Sequence, residues 1–115
     1  KKINKIANKT TIKERGIKFM ITVFASFYPK KNEESKVKEI LMNMIQPTRA
    51  EEGNKVYDLY DMKNENGDTF HLFEIYNDKD ALEFHRGTDH YKNYRKIILD
   101  HLEKPIEVKV LNQVN

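Results

Sequence analysis

A chain of 115 residues, 38% hydrophobic and 34% charged, with a net charge of +3 and no cysteine, is sized for one domain with one core. The composition excludes disulfides, thiolate nucleophiles and cysteine-based metal centres, suits a reducing cytoplasm, and contains no apolar run near the roughly 20 residues that span a bilayer. Residues 1–18 hold seven Lys/Arg against one Glu while the rest holds fourteen against seventeen acids, so the folded part is mildly acidic and offers no basic face to a nucleic acid.

Residues 1–18 mix lysine with isolated isoleucines and lack the apolar segment and cleavage site of a signal peptide. They read as a loosely docked basic arm, with Met20 as an original start and 19–115 as the domain. From Phe19 to Tyr28 the chain is strand-like and apolar on both faces, which requires cover on both sides. Pro29 closes it, and Asn32, Glu33 and Glu34 open a helix whose dipole favours the acids. Val37, Ile40, Leu41, Met44 and Ile45 then form an apolar stripe at helical spacing. Pro47 is expected to kink or end that helix, with a further turn before Gly53 and Asn54. Val56–Asp61 reads as a strand, and Asn64–Asp68 as a hairpin turn.

The stretch from Phe70 to Tyr91 is where a site is expected. Its first seven residues are strand-formers apart from His71 and Glu74, and Asn77, Asp78 and Asp80 supply a turn and a helix start. Ala81, Leu82 and His85 share one face of a short helix. Gly87 stops it, and Thr88 or Asp89 caps a longer helix from His90 to Leu102. Ile106, Val108 and Val110 alternate with charges in a last strand after Pro105. The order β-α-β-β-α-β is α+β and ferredoxin-like, a four-stranded antiparallel sheet with helices on one face. By strand parity Leu72, Glu74 and Tyr76 point one way and His71, Phe73 and Ile75 the other. Both faces are apolar, so a homodimer closing sheet against sheet is predicted.

Four segments now stand in order: M-I-T-V-F-A from Met20, T-R-A-E-E-G-N at Thr48–Asn54, F-E-I-Y at Phe73–Tyr76, and D-A-L-E-F-H at Asp80–His85 followed by H-Y. Together they resemble the antibiotic biosynthesis monooxygenase (ABM) family of small dimeric α/β-barrel proteins. That family includes cofactor-free quinol monooxygenases and a protein acting on a phosphorylated autoinducer-2 signal. The likeness spans about Met20 to Leu111. It implies a pocket between sheet and helices, no cofactor, and His85 as the family's histidine on the short helix. Two departures stand out. The anthrone-oxidising members' Asn and Tyr correspond to Leu72 and Leu82, and the haem-degrading members' Asn and iron-ligating His to Ser26 and Arg95, so neither chemistry is expected.

His85 is the candidate general base, since an unperturbed imidazole is largely neutral at pH 7. Tyr76 and Glu74 are candidates to orient substrate or proton, Arg49 to hold charge, and Leu72, His90 and Tyr91 to line the substrate pocket. Each has a structural alternative: a hydrogen-bonded helix histidine for His85, a core aromatic for Tyr76, an ion pair with Arg49 or His85 for Glu74, and a helix N-terminal residue for His90. Asp89 and His90 lack metal-ligand spacing with His85, so no metal is expected. Three functions remain open: a monooxygenase of quinols or related aromatics, an isomerase or degrading enzyme for a small phosphorylated signal, and a non-catalytic dimeric ligand-binding module.

Overall fold

The computed structural model describes residues 19–115; the basic arm at 1–18 lies outside the described residues. The elements are β1 (Ile21–Phe27), α1 (Glu34–Arg49), β2 (Asn54–Met62), β3 (Thr69–Tyr76), α2 (Lys79–Arg86), α3 (Asp89–Ile98) and β4 (Glu107–Asn112). The strands form one antiparallel sheet in the order β2-β3-β1-β4. This is the predicted ferredoxin-like arrangement.

Strand parity sets the layers. Residues directly opposite one another share a face, and β1 meets β3 with Val23 opposite Glu74, Ala25 opposite Leu72 and Phe27 opposite Phe70. These side chains are all buried, as are Tyr57 and Tyr76 on the same side. The stripe of Val37, Ile40, Leu41 and Met44 on α1 packs there with Tyr94, Ile98 and Leu102 to form the main core. A smaller cluster of Val23, Tyr76 and Leu82 sits at the other end of the sheet, under α2. The opposite face carries half-buried Phe24, Phe73 and Ile75, with Tyr60 and Met62 exposed.

Two boundaries differ from expectation. Helix α1, expected to kink or end at Pro47, does not end there but runs on to Arg49. A proline forfeits one helical hydrogen bond, but this one lies in the last turn, and the Ala50 N–H still bonds back to the Gln46 carbonyl. The long helix expected from His90 to Leu102 ends at Ile98 and tightens into a 3-10 turn, Leu99–His101. The chain there is drawn onto the end of β1. Lys30 N–H donates to the His101 carbonyl, Glu103 N–H donates to the Tyr28 carbonyl, and Leu102 bridges Pro29.

Candidate functional site

The site is assembled where three chain segments meet at one end of the sheet. Strand β3 delivers Glu74 and Tyr76 to the helix-facing side. Asp78 then caps α2, its Oδ1 accepting from the Ala81 N–H at 2.9 Å. The short helix turns Leu82 and His85 inward. Thr88 is the joint to α3: its hydroxyl donates to the His85 carbonyl at 2.7 Å and accepts from the Tyr91 N–H at 3.2 Å. The third segment is the loop after α1, which carries Glu51. Gly53 lets that loop lie on α2, since a Cβ there would come within 2.5 Å of the Ala81 Cβ. The Gly53 carbonyl also accepts from the Asn77 N–H at 2.9 Å.

Glu51 is the hub. Its Oε2 lies 2.8 Å from His85 Nδ1 and 2.6 Å from His90 Nε2. A carboxylate oxygen only accepts, so both imidazole nitrogens donate to it. The Glu51 and His85 side chains are 4% and 3% exposed, and His90 is 27% exposed. The second carboxylate oxygen, Oε1, is buried with no hydrogen-bond partner among the described residues. Burial lowers the His85 pKa from its ordinary 6.5, outweighing the opposing pull of Glu51, so the ring is neutral at pH 7. A neutral ring that donates from Nδ1 carries its lone pair on Nε2, the arrangement a general base requires.

Around that ring stand aromatic groups. Tyr76 lies 5.2 Å from His85 between centroids, and Tyr91 meets it edge-on at 5.0 Å. The Tyr76 hydroxyl donates to Glu74 Oε1 at 2.6 Å. Desolvation raises the Glu74 carboxyl to about 7, against the opposing effects of that hydrogen bond and of Arg86. Burial likewise raises the Tyr76 hydroxyl, reinforced by the charge of Glu74. Tyr76 is therefore a neutral donor, and Glu74 a carboxyl able to hold or release a proton near neutrality.

Two hollows flank His85. An inner one, about 20 Å³ and so room for about one water, is lined by Glu74, His85, Arg86, Tyr91, Arg95 and Val108, among others. Arg95 Nη1 donates to the Tyr91 hydroxyl at 2.6 Å. An outer groove of about 900 Å³ runs along the loop and the ends of α2 and α3, where Glu51, Glu52, Glu83 and Asp89 make it acidic and His90 lies on its wall.

Of the residues singled out by sequence, the structure brings together His85, His90, Tyr91, Tyr76 and Glu74. Arg49 does not join them. Its guanidinium donates to the Tyr57 carbonyl at 3.1 Å and to Asp58 Oδ1 at 2.9 Å. Glu74 accordingly pairs with Tyr76, not with Arg49 or His85. Leu72 shares the face of Glu74 but is wholly buried in the main core, away from the inner hollow. His71 lies on the helix-free face, held between Ser26 and Thr69 hydroxyls at 2.9 Å each, a structural setting. Glu51 was missed. It stands inside the T-R-A-E-E-G-N segment, and the signal was an acid in a short loop closed by glycine.

The profile of a family described as "Antibiotic biosynthesis monooxygenase" matches residues 20–97. The chain is 42% identical over 91 residues to "Putative monooxygenase Rv0793" of Mycobacterium tuberculosis, covering 79% of this chain and 88% of that one. It is 35% identical over 66 residues to "Putative monooxygenase YcnE" of Bacillus subtilis, covering 57% of this chain and 68% of the relative. The solved structure of Rv0793 superposes with a TM-score of 0.77 at 40% identity, covering 84% of this chain and 96% of that one.

Proposed function

The chain belongs to the antibiotic biosynthesis monooxygenase family, and from that premise we propose that it is a cofactor-independent monooxygenase of a quinol or related small aromatic, with His85 as general base. The observation that carries the reading is the buried Glu51–His85 pair, which leaves a neutral imidazole with its lone pair on Nε2. Removing a proton from a quinol yields an electron-rich anion that can pass an electron to oxygen. The substrate itself balances the reaction: a naphthoquinol plus O2 gives a hydroxynaphthoquinone plus water. Tyr76 orients the Glu74 carboxyl through its hydroxyl, and Glu74, on the wall of the inner hollow, exchanges protons near neutrality. Tyr91 supplies an aromatic wall. Admission of a planar ring requires the rim side chains Arg86, Arg95 and Val108 to move outward, because the inner hollow is small.

The functional unit in this reading is a homodimer closing on the helix-free sheet face, whose half-buried Phe24, Phe73 and Ile75 would be covered by a second copy. A cytoplasmic setting accords with the lack of cysteine; among the described residues no helix is long and apolar enough to cross a membrane.

Arg86 and Arg95 on the inner hollow favour a second reading, an isomerase or degrading enzyme for a small phosphorylated signal, in which His85 shuttles a proton alpha to a carbonyl. Isotopically heavy O2 separates the two. Mass spectrometry of the product from a reduced naphthoquinone is expected to show one heavy oxygen per molecule. An unlabelled product contradicts the monooxygenase reading, and turnover of a phosphorylated ketone with solvent-proton exchange would establish the second. Ligand-induced shifts in melting without turnover of either substrate would instead mark a binding module.

A further inference from the structure

The geometry points to a site for a divalent transition-metal ion built from Glu51, His85 and His90. The ligand atoms of the three side chains all lie within 4.8 Å of one another. Two imidazoles and one carboxylate form a donor set suited to zinc, iron, cobalt or nickel, and three protein ligands leave positions open for water.

Three features beyond proximity support it. The first is Glu51 Oε1, which has no hydrogen-bond partner among the described residues: a buried carboxylate oxygen left so is costly, and a cation bound across both oxygens would satisfy it. The second is the acidic groove, where Glu51, Glu52, Glu83 and Asp89 offer a cation a route of favourable potential to His90. The third is positioning. Thr88 bonds both the His85 carbonyl and the Tyr91 N–H, fixing the helix carrying one histidine against the helix carrying the other. The His101–Glu33 pair elsewhere in the fold lacks a second histidine and provides an internal control.

One consequence rests on the reading of His85 as base. An ion on Nδ1 takes the place of the proton now donated to Glu51, so a neutral ring must carry its proton on Nε2. The nitrogen that accepts in the metal-free protein then donates, and the base is switched off.

The test uses the full chain, stripped with chelator and dialysed. Isothermal titration with Zn2+ and visible spectra with Co2+ are expected to show one strong site and a low-symmetry, nitrogen–oxygen-bound cobalt. His90→Ala, altering a partly exposed side chain, is expected to weaken Zn2+ binding at least tenfold, and His101→Ala to leave it unchanged. Nitrogen NMR of the His85 ring is expected to show the proton moving from Nδ1 to Nε2 on Zn2+ addition. Absence of a strong site, or equal affinity in His90→Ala and wild type, overturns the proposal; none of these readouts involves substrate, so they stand apart from the monooxygenase reading. An unmoved proton on a loaded site overturns the switch alone.

Discussion

Glu74 sets a pH dependence that belongs to a single side chain. Its carboxyl is raised from 4.5 to about 7, first by desolvation, with the Tyr76 hydroxyl and Arg86 pulling the other way. Between those values the folded chain keeps a proton that the unfolded chain releases. The stability this group contributes is complete below its unfolded value and is lost as pH rises through about 7, a change on the order of 3 kcal/mol. His85 acts in the opposite direction, since its lowered pKa means the unfolded chain takes up protons first as pH falls below 6.5. Glu74→Gln is neutral throughout. Its stability relative to wild type is expected to improve by that order between about pH 4 and about pH 8, read as the difference between urea unfolding curves. A pH-independent difference would mean that Glu74 ionises in the folded protein without penalty. Legibility differs sharply among these residues. Strand parity put Glu74 and Tyr76 on one face with Leu72, because the period of a strand is fixed, and the family resemblance supplied a pocket between sheet and helices. Glu51 was not legible in the same way: it lies 34 residues from His85 and 39 from His90, and no local pattern tells which of Glu51 and Glu52 turns inward. Arg49 was misplaced for the same reason, because its partner Asp58 lies on another element.

Among the elements, the contact between the loop after α1 and helix α2 decides whether the cluster forms. Gly53→Ala would set two Cβ atoms 2.5 Å apart, so α2 must move away from the loop. The expected cost is about 1–3 kcal/mol in thermal or chemical unfolding, with loss of Zn2+ affinity exceeding what His101→Ala causes. Wild-type stability in that variant would show the loop to be pliable. Thr88→Ala removes the α3 cap and the tie to the His85 carbonyl together. A loss of about 1 kcal/mol is expected from the cap, with activity falling further than stability explains. The heights of these elements in the sequence were readable from capping residues and stripes. The passage of α1 through Pro47 and the tightening after Ile98 were not: the one depends on a proline falling in the last turn, the other on contacts with the chain just after β1, where Lys30 N–H donates to the His101 carbonyl and Glu103 N–H to the Tyr28 carbonyl.

At the scale of the molecule, a sheet with helices on one side leaves its other face to be covered. Phe24, Phe73 and Ile75 lie half-buried there beside exposed Tyr60 and Met62, and the apolar second face of β1 and β3 is legible in the period-two pattern of the sequence. Light scattering after size exclusion is expected to give twice the chain mass at micromolar concentration, and Phe73→Asp to give the chain mass with helical content retained. A wild-type monomer would contradict the homodimer. The inner hollow, its rim and the Glu51–His85–Tyr76 neighbourhood all lie within the described part of one chain, so the chemistry can be tested directly. That test is quinol-dependent oxygen uptake by chelator-treated protein, wild type beside His85→Ala. With His85 as general base, uptake above autoxidation is expected in the wild type, with a fall of about a hundredfold to ten-thousandfold in a folded variant. Equal rates in the two proteins, or no uptake above buffer in the wild type, would contradict that assignment.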